Sequence, residues 1–393
     1  MRPRLLLLDE PTSQLDPLAA REFISVIKRL SEETGTTIII AEHRLEDIFP
    51  AADKVLVLQK GKSFSYGTPK QVVSSLIGGY MQKALPSAAR IFIKLKEYKD
   101  APLTVKEGRR FLDNFGSEIN EIKEEEKTIK EAALSIDSVF FRYEKNSPDV
   151  LSDMSLKVFA GEFLSVVGGN AAGKTTLLSV LSGQKKPYMG KIKLYGKKYS
   201  EYKNLYRNNI AYLPQDVTTV FIADSVLNDC LELLEGESIS EDKKKKIIKE
   251  NAAVLGIEHK LSSHPYDLSG GERQKAALLK VLLLNPLVLL LDEPTKGIDP
   301  DTKEELGKIL KALCSKGVSV VSVTHDIEFA AEFSDRCAQI SQGKIIACDS
   351  PRKIFSGNSF YTTAAARISN GKYRNAILVD DVVRLCSENK RKK

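Results

Sequence analysis

The clearest pattern along the chain is a pair of short, unbroken apolar runs that each end in acid. Leu5-Leu6-Leu7-Leu8 leads into Asp9-Glu10-Pro11-Thr12, and Val288-Leu289-Leu290-Leu291 into Asp292-Glu293-Pro294-Thr295. Runs that are apolar at every position, rather than at every second one, predict strands of a parallel sheet covered on both faces. Phe163-Leu164-Ser165-Val166-Val167 and Val318–Thr324 read the same way, the first leading into a glycine-containing turn and the second ending at His325. Leu268-Ser269-Gly270-Gly271-Glu272-Arg273-Gln274 precedes an amphipathic stretch, and its Ser-x-x-Glu spacing predicts a capped helix start. Residues 104–133 are rich in Lys and Glu with spaced Ile, Leu and Phe, as in Glu121-Ile122-Lys123-Glu124-Glu125-Glu126-Lys127. They predict a helical connector with a solvated face. The longest apolar run, Val281–Leu291, is broken by Asn285 and Pro286. It falls short of the ~20 apolar residues that a membrane-spanning helix needs.

The two acid-ended runs belong to an internal repeat. The copies stand 283 positions apart at Asp9 and Asp292, and each is followed by an Asp-Pro, Asp16-Pro17 and Asp299-Pro300. Ile38-Ile39-Ile40-Ala41-Glu42-His43 matches Val320-Val321-Ser322-Val323-Thr324-His325 at an offset of 282, which a one-residue deletion explains. That offset persists through Gly61 and Gly343 and through Pro69 and Pro351. The second copy begins near Leu134 and is complete, whereas the first reaches Asp9 at once and lacks roughly 150 residues of its counterpart. The expectation is that Met1 is not the biological start or that an upstream reading frame was interrupted, and that the first copy exposes apolar surface. The expected organisation is 1–80, the C-terminal part of a first domain; 81–133, a connector; 134–356, a complete second domain; and 357–393, a tail.

Composition alters this picture little. The 393 residues predict two to three domains, and 42% hydrophobic with 28% charged residues is ordinary for a globular chain. The net charge of +7 is spread along the sequence, so it permits a nucleic-acid or membrane partner without implying one. Lys243-Lys244-Lys245-Lys246 and Lys390-Arg391-Lys392-Lys393 read as a solvated helix face and a frayed tail. Five cysteines without close spacing read as reduced cytosolic thiols. Four leucines followed by two acids are too short for a signal peptide.

The candidate chemistry lies in the second copy. Gly168-Gly169-Asn170-Ala171-Ala172-Gly173-Lys174-Thr175 fits G-x-x-x-x-G-K-[ST] between a strand and a helix, with Thr176 next. Backbone N–H groups converge on phosphates at a helix N-terminus, Lys174 would reach the β- and γ-phosphates, and the Thr175 hydroxyl would ligate Mg²⁺. At the end of a second buried strand, Asp292 would enter the Mg²⁺ shell, directly or through water, and Glu293 would polarise the attacking water. Ser269, Gly270 and Gly271 would offer a second anion-recognising surface. The chain has four histidines, and both copies place one at the same point, His43 and His325. That recurrence marks His325 for the γ-phosphate and the attacking water.

Taken in order, the phosphate loop, the LSGGERQ segment, the LLLDEP strand, the Asp-Pro loop and the terminal His resemble the ATP-binding cassette (ABC) ATPases. The resemblance implies an α/β P-loop NTPase fold: a parallel sheet core, an antiparallel edge sheet and a helical signature subdomain, here with a partial second copy. It further implies that Tyr143 stacks on adenine, that Gln215 senses Mg²⁺ and faces a partner, and that Asp299 joins Glu293 and His325 in catalysis. A narrower likeness joins the chain to the duplicated ATPase of energy-coupling factor importers. It rests on Ala41-Glu42-His43-Arg44-Leu45-Glu46-Asp47, Gly161-Glu162-Phe163-Leu164, Thr295-Lys296-Gly297-Ile298-Asp299-Pro300, the connector's Pro102–Arg110 and the tail Phe360–Ala366. It implies ATP and Mg²⁺, a membrane transmission subunit, a substrate-binding membrane subunit, a place at the cytoplasmic face of the membrane, and no nucleic acid. Ala171 and Ala172 depart from the family, which usually carries a Gly there; if position 171 needs φ > 0, Ala costs about 1 kcal/mol.

In that family ATP is held between the phosphate loop of one cassette and the signature of another. Asp9, Glu10, Asp16 and His43 keep the catalytic residue types without a phosphate loop of their own. The resemblance therefore implies a second ATPase chain to complete each site. A soluble twin-cassette ATPase acting on ribosomes or DNA, and a remnant that binds ATP without turnover, stay open as alternatives.

Overall fold

A computed structural model describes residues 3–59, 61–79, 81–97, 100–116, 120–122, 131–356 and 361–391. Lys123–Lys127 of the charged run, Phe360, and Lys392-Lys393 lie outside the described residues. The chain divides into two compact units: Lys127–Ile298 with Thr302–Ser350, and Met1–Glu126 with Asp299–Asp301 and Pro351–Lys393.

The larger unit is built on a six-stranded sheet whose strands lie in the order Ile210–Leu213, Val288–Asp292, Ser319–Val323, Phe163–Val167, Arg336–Ser341, Lys344–Asp349. The first five are parallel and the last is antiparallel. Phe163–Val167, Val288–Asp292 and Ser319–Val323 are buried at every position, as their continuous apolar runs predict. Side chains alternate between two cores, because successive strand residues point to opposite faces. Phe163, Leu289, Leu291 and Val320 pack under the helices Val226–Leu233, Glu241–Val254 and Gly270–Leu282. Leu164, Val166, Leu290 and Val321 face the helix Lys174–Leu181 and a four-stranded antiparallel sheet ordered Lys197–Lys198, Met189–Leu194, Ala132–Phe141, Leu151–Phe159. This is the α/β arrangement that the resemblance implies, with a parallel sheet core, an antiparallel sheet and helices on the other face.

The smaller unit holds the first copy. Leu5–Asp9 pairs in parallel with Thr37–Ala41, and Val55–Gln59 forms a hairpin with Lys62–Gly67. Residues read as a connector and a tail fold together here. The helices Ser87–Lys94, Val105–Leu112, Ala364–Ser369 and Val379–Arg391 share one core, and Asn120–Glu121 pairs with Tyr373–Arg374. The expected long helix over 104–133 is only Val105–Leu112 among the described residues, and Ala132 already belongs to a strand. Gly108 explains the close crossing: a Cβ there would stand 3.2 Å from Ala88 Cβ and 3.2 Å from Ile368 Cγ1. Arg352 clamps Asp381 through two nitrogens at 2.6 and 2.9 Å, while Asp381 also accepts from the amides of Ile377 and Leu378. The solvated face foreseen for residues 104–133 is thus partly a packing face, because Gly108 and Leu112 are buried.

The two copies differ in burial despite their matching sequences. Leu290 is fully buried, whereas its counterpart Leu7 is 66% exposed. Leu290→Ala is therefore expected to destabilise the chain by about 2–5 kcal/mol, and Leu7→Ala by under about 0.5 kcal/mol. Denaturant unfolding of the two variants measures the difference.

Candidate functional site

The phosphate-loop segment leaves the central buried strand Phe163–Val167 and ends at the helix Lys174–Leu181. Two of its glycines are required by the backbone. A Cβ on Gly168 would sit 2.4 Å from the Ile340 carbonyl oxygen, and Gly173 caps the helix at φ 100°. Ala171 adopts φ 58°, so the left-handed conformation is carried by an alanine at an exposed position. Ala171→Gly is expected to raise nucleotide affinity several-fold, worth about 1 kcal/mol, with kcat unchanged; calorimetric titration measures it. Gly169 and Asn170 lie toward solvent, Ala172 is buried, and Lys174 is buried with its Nζ donating to the carbonyls of Gly168 and Gly169, each at 3.0 Å. An arriving phosphate would replace these carbonyls as the partner of the ammonium.

Asp292 ends the adjacent-but-one strand and is 2% exposed. The Thr175 hydroxyl donates to its carboxylate, and the Tyr212 hydroxyl lies 3.5 Å from Oδ2. Its Oδ1 is buried with no hydrogen-bond partner, and burial is the main cause of a pKa raised to about 6. A buried carboxylate with one open oxygen, beside an exposed threonine hydroxyl, is a fitting donor set for a hard divalent cation. Gln215 is exposed and follows the strand Ile210–Leu213, whose register against Val288–Leu291 brings the segment to the same end of the sheet.

Glu293 departs from the strand with φ 49°, a left-handed value for a residue with a side chain, and its amide donates to the Val323 carbonyl at 2.8 Å. Such strain costs about 1–3 kcal/mol and persists where surrounding contacts enforce it. One contact is with His325: Glu293 Oε1 lies 2.7 Å from Nδ1, and the His325 amide donates to Oε2 at 3.3 Å. The sequence marked both residues separately, and the structure joins them. Tyr143 is 57% exposed, with its hydroxyl 3.0 Å from Thr176 Oγ1 and the Lys185 ammonium 5.7 Å from its ring centre. An exposed ring beside a phosphate loop can stack on a base.

Ser269 caps the helix Gly270–Leu282 in the expected box, the Glu272 amide donating to its Oγ at 3.4 Å and its own amide donating to Glu272 Oε2 at 2.9 Å. Gly270 is exposed, and Gly271 approaches Thr302 so closely that a Cβ would meet Cγ2 at 2.9 Å. The helix packs on Ile210–Leu213 and on the helices Val226–Leu233 and Glu241–Val254. Arg273, to which the sequence reading gave no role, fixes the turn ahead of the helix by donating to the carbonyls of Pro265, Tyr266 and Leu268. Asp299 accepts from the Asp301 amide at 3.0 Å at the start of the helix Pro300–Ser315. Its counterpart Asp16 caps Pro17–Thr34, accepting from the amides of Leu18 and Ala19. The other first-copy residues keep part of the second copy's geometry: Glu10 has φ 42° and its Oε1 lies 3.2 Å from His43 Nε2, while Asp9 is exposed.

Comparison with known proteins agrees with this geometry. A family model described as ABC transporter matches residues 151–296. A protein of Bacillus thuringiensis subsp. konkukian, described as an ABC transporter ATP-binding protein, is 39% identical over 98% of this chain and 70% of its own length. The HMP/thiamine import ATP-binding protein YkoD of Bacillus subtilis is 30% identical over 91% of this chain and 64% of its own. Among solved structures, cbiO1 from Clostridium perfringens, part of the ABC transporter complex cbiONQ, is similar with a TM-score of 0.54 and 27% identity, covering 57% of this chain and 91% of that one. The ATP-binding cassette MJ0796, in a dimeric post-hydrolysis state with ADP and Pi, is similar with a TM-score of 0.51 and 25% identity, covering 56% of this chain and 98% of its own. No helix among the described residues is long and apolar enough to cross a membrane. The repeat, the fold and these likenesses together place the chain in the family of ABC transporter ATP-binding proteins, which are ATPases.

Proposed function

We propose that this chain is the ATP-hydrolysing subunit of an energy-coupling-factor-type importer, energising uptake of a vitamin or metal ion at the cytoplasmic face of the membrane. The observation that carries the hydrolytic part is the strained Glu293 held by His325, beside a buried Asp292 with an open oxygen and next to a phosphate loop. The importer type is supported by the likeness to cbiO1 of the cbiONQ complex and to a protein described as an HMP/thiamine import ATP-binding protein. Transmission and substrate-binding membrane subunits are the partners this reading requires.

In this reading the amides of residues 168–174 and the Lys174 ammonium hold the β- and γ-phosphates, and the Tyr143 ring takes the adenine. Thr175, Gln215 and Asp292 would hold Mg²⁺, which when bound neutralises phosphate charge. Glu293 orients the attacking water and accepts its proton. His325, bound through Nδ1, fixes the Glu293 carboxylate and presents its other edge to the γ-phosphate. Ser269, Gly270 and Gly271 close the nucleotide site of a second ABC chain, so that two chains complete two sites head to tail, with Asp299 at the seam. ATPase rate measured against protein concentration tests this: specific activity is expected to fall as the protein is diluted to monomer, and a constant value would refute the shared site. Co-purification with an integral membrane subunit tests the import role.

A further inference from the structure

We infer that the outer face of the four-stranded antiparallel sheet is a cationic platform that adsorbs to anionic lipid headgroups. The inner face of this sheet belongs to the core of the larger unit, through Leu134, Ile136, Leu156, Val158 and Leu194. Residues that alternate with these turn outward, as the pleat requires. Lys191 and Lys193 on Met189–Leu194, Lys157 on Leu151–Phe159 and Lys198 on Lys197–Lys198 are all exposed. The register puts three of them in one row across the sheet: Lys198 opposes Lys193, Lys193 opposes Ser135, and Ser135 opposes Lys157. With strands ~4.8 Å apart, the row roots three lysines within about 15 Å of one another. Lys191 opposes Asp137, yet no ion pair engages Lys157, Lys191, Lys193 or Lys198 among the described residues.

Elsewhere in this unit cations are matched by acids: Arg142 pairs with Asp149, Lys303 with Asp326, Lys308 with Glu304 and Lys311 with Asp335. Like charges directly opposed across a strand pair cost stability, so the facing Lys198 and Lys193 burden the sheet, and a bound anion relieves them. A single layer of unpaired lysines beside the short Ser135 and Ser155 matches an extended negative surface. Single-stranded nucleic acid would need open rings on which its bases could stack. Phe140 is half-buried, and the Tyr188 ring is covered by the Arg142 guanidinium at 4.4 Å while its hydroxyl donates to Asp149. Acidic headgroups require charge alone. The choice of a lipid surface rests on the proposed place at the cytoplasmic face of the membrane, where the leaflet is negatively charged.

The experiment sediments the full chain with phosphatidylcholine vesicles, with and without phosphatidylglycerol, in the absence of nucleotide and of membrane subunits. Binding is expected only to the vesicles that contain phosphatidylglycerol, and it should fall as salt screens the charges. Each lysine removed should weaken it about 5-fold, so Lys157→Gln combined with Lys193→Gln should lose about 25-fold. That double variant should unfold no earlier than the parent, because Lys193→Gln removes a like-charge opposition. Lys243→Gln combined with Lys246→Gln makes the same change in net charge on the exposed side of the helix Glu241–Val254, and is expected to keep vesicle binding within about twofold of the parent. Absence of binding, equal binding to neutral vesicles, an equal loss in the two double variants, or capture of duplex DNA or polyglutamate in place of the vesicles would each overturn the proposal. Co-purification with an integral membrane subunit is read separately, so failure of the import role and failure of lipid adsorption are told apart.

Discussion

Glu293→Gln is expected to lower kcat by about 10²–10⁴-fold while ATP affinity stays within about twofold of the parent. Glutamine keeps the length of the side chain and can still hydrogen-bond to His325, so the 2.7 Å contact and the unusual backbone at φ 49° have a replacement partner. What it cannot do is accept the proton of the attacking water. The phosphate loop and Tyr143 lie on other elements and are untouched, which is why binding and turnover separate. His325→Ala should also slow turnover, because it releases the carboxylate that the imidazole and the 325 amide now hold. Steady-state hydrolysis and nucleotide titration on the same preparations decide the matter. More than a tenth of parental activity in Glu293→Gln would show that the water is activated elsewhere.

Asp292→Asn should move stability and activity in opposite directions. Burial raises the Asp292 pKa from 3.8 to about 6, so the folded chain favours the protonated form. For an acid whose folded pKa is raised, the unfolded chain loses its proton first. Stability is therefore highest below pH ~4 for this group and is lost as the pH rises toward about 6, with a cost on the order of 3 kcal/mol above that. Asparagine removes the buried charge, so the metal-free variant should unfold later than the parent at pH 7–8 and no later at pH 4. At the same time it removes the carboxylate that the proposed Mg²⁺ would need, and Mg²⁺-dependent hydrolysis should fall by at least ~10²-fold. In the parent, Mg²⁺-dependent nucleotide binding should weaken as the pH falls below about 6, because a proton then competes with the cation for the Asp292 carboxylate. Thermal unfolding across pH, with and without Mg²⁺, reads both effects. A difference in metal-free stability between parent and Asp292→Asn that stays flat between pH 4 and 7 would show that Asp292 ionises without penalty.

Much of the site was legible before folding was considered. The phosphate-loop spacing, the Asp-Glu strand end and the recurring His are short-range signals, carried by a few consecutive residues and the sheet strands before them. Asp299 was equally visible, and the structure gives both it and Asp16 places at helix starts. The Glu293–His325 contact was not legible as a contact, because the residues are far apart in sequence and meet only when two parallel strands align. The Tyr143–Thr176 bond has the same character.

The repeat shows most clearly how far local pattern reaches. Leu5–Asp9 and Val288–Asp292 carry nearly the same residues, and sequence alone predicted a strand for each, with apolar surface exposed somewhere on the incomplete first copy. It determined that both are strands, because that follows from local spacing, and the same spacing nominated a complete second domain and a set of phosphate-handling side chains. Only the tertiary structure decided that one run is buried at every position while the other alternates between exposed and half-buried. It also decided that the connector helix Val105–Leu112 packs with the helices beyond residue 361, and that Ala171 takes a left-handed turn. The physical reason is common to all three. Burial and backbone strain depend on the segments that close over a residue, and here those segments lie tens to hundreds of positions away along the chain.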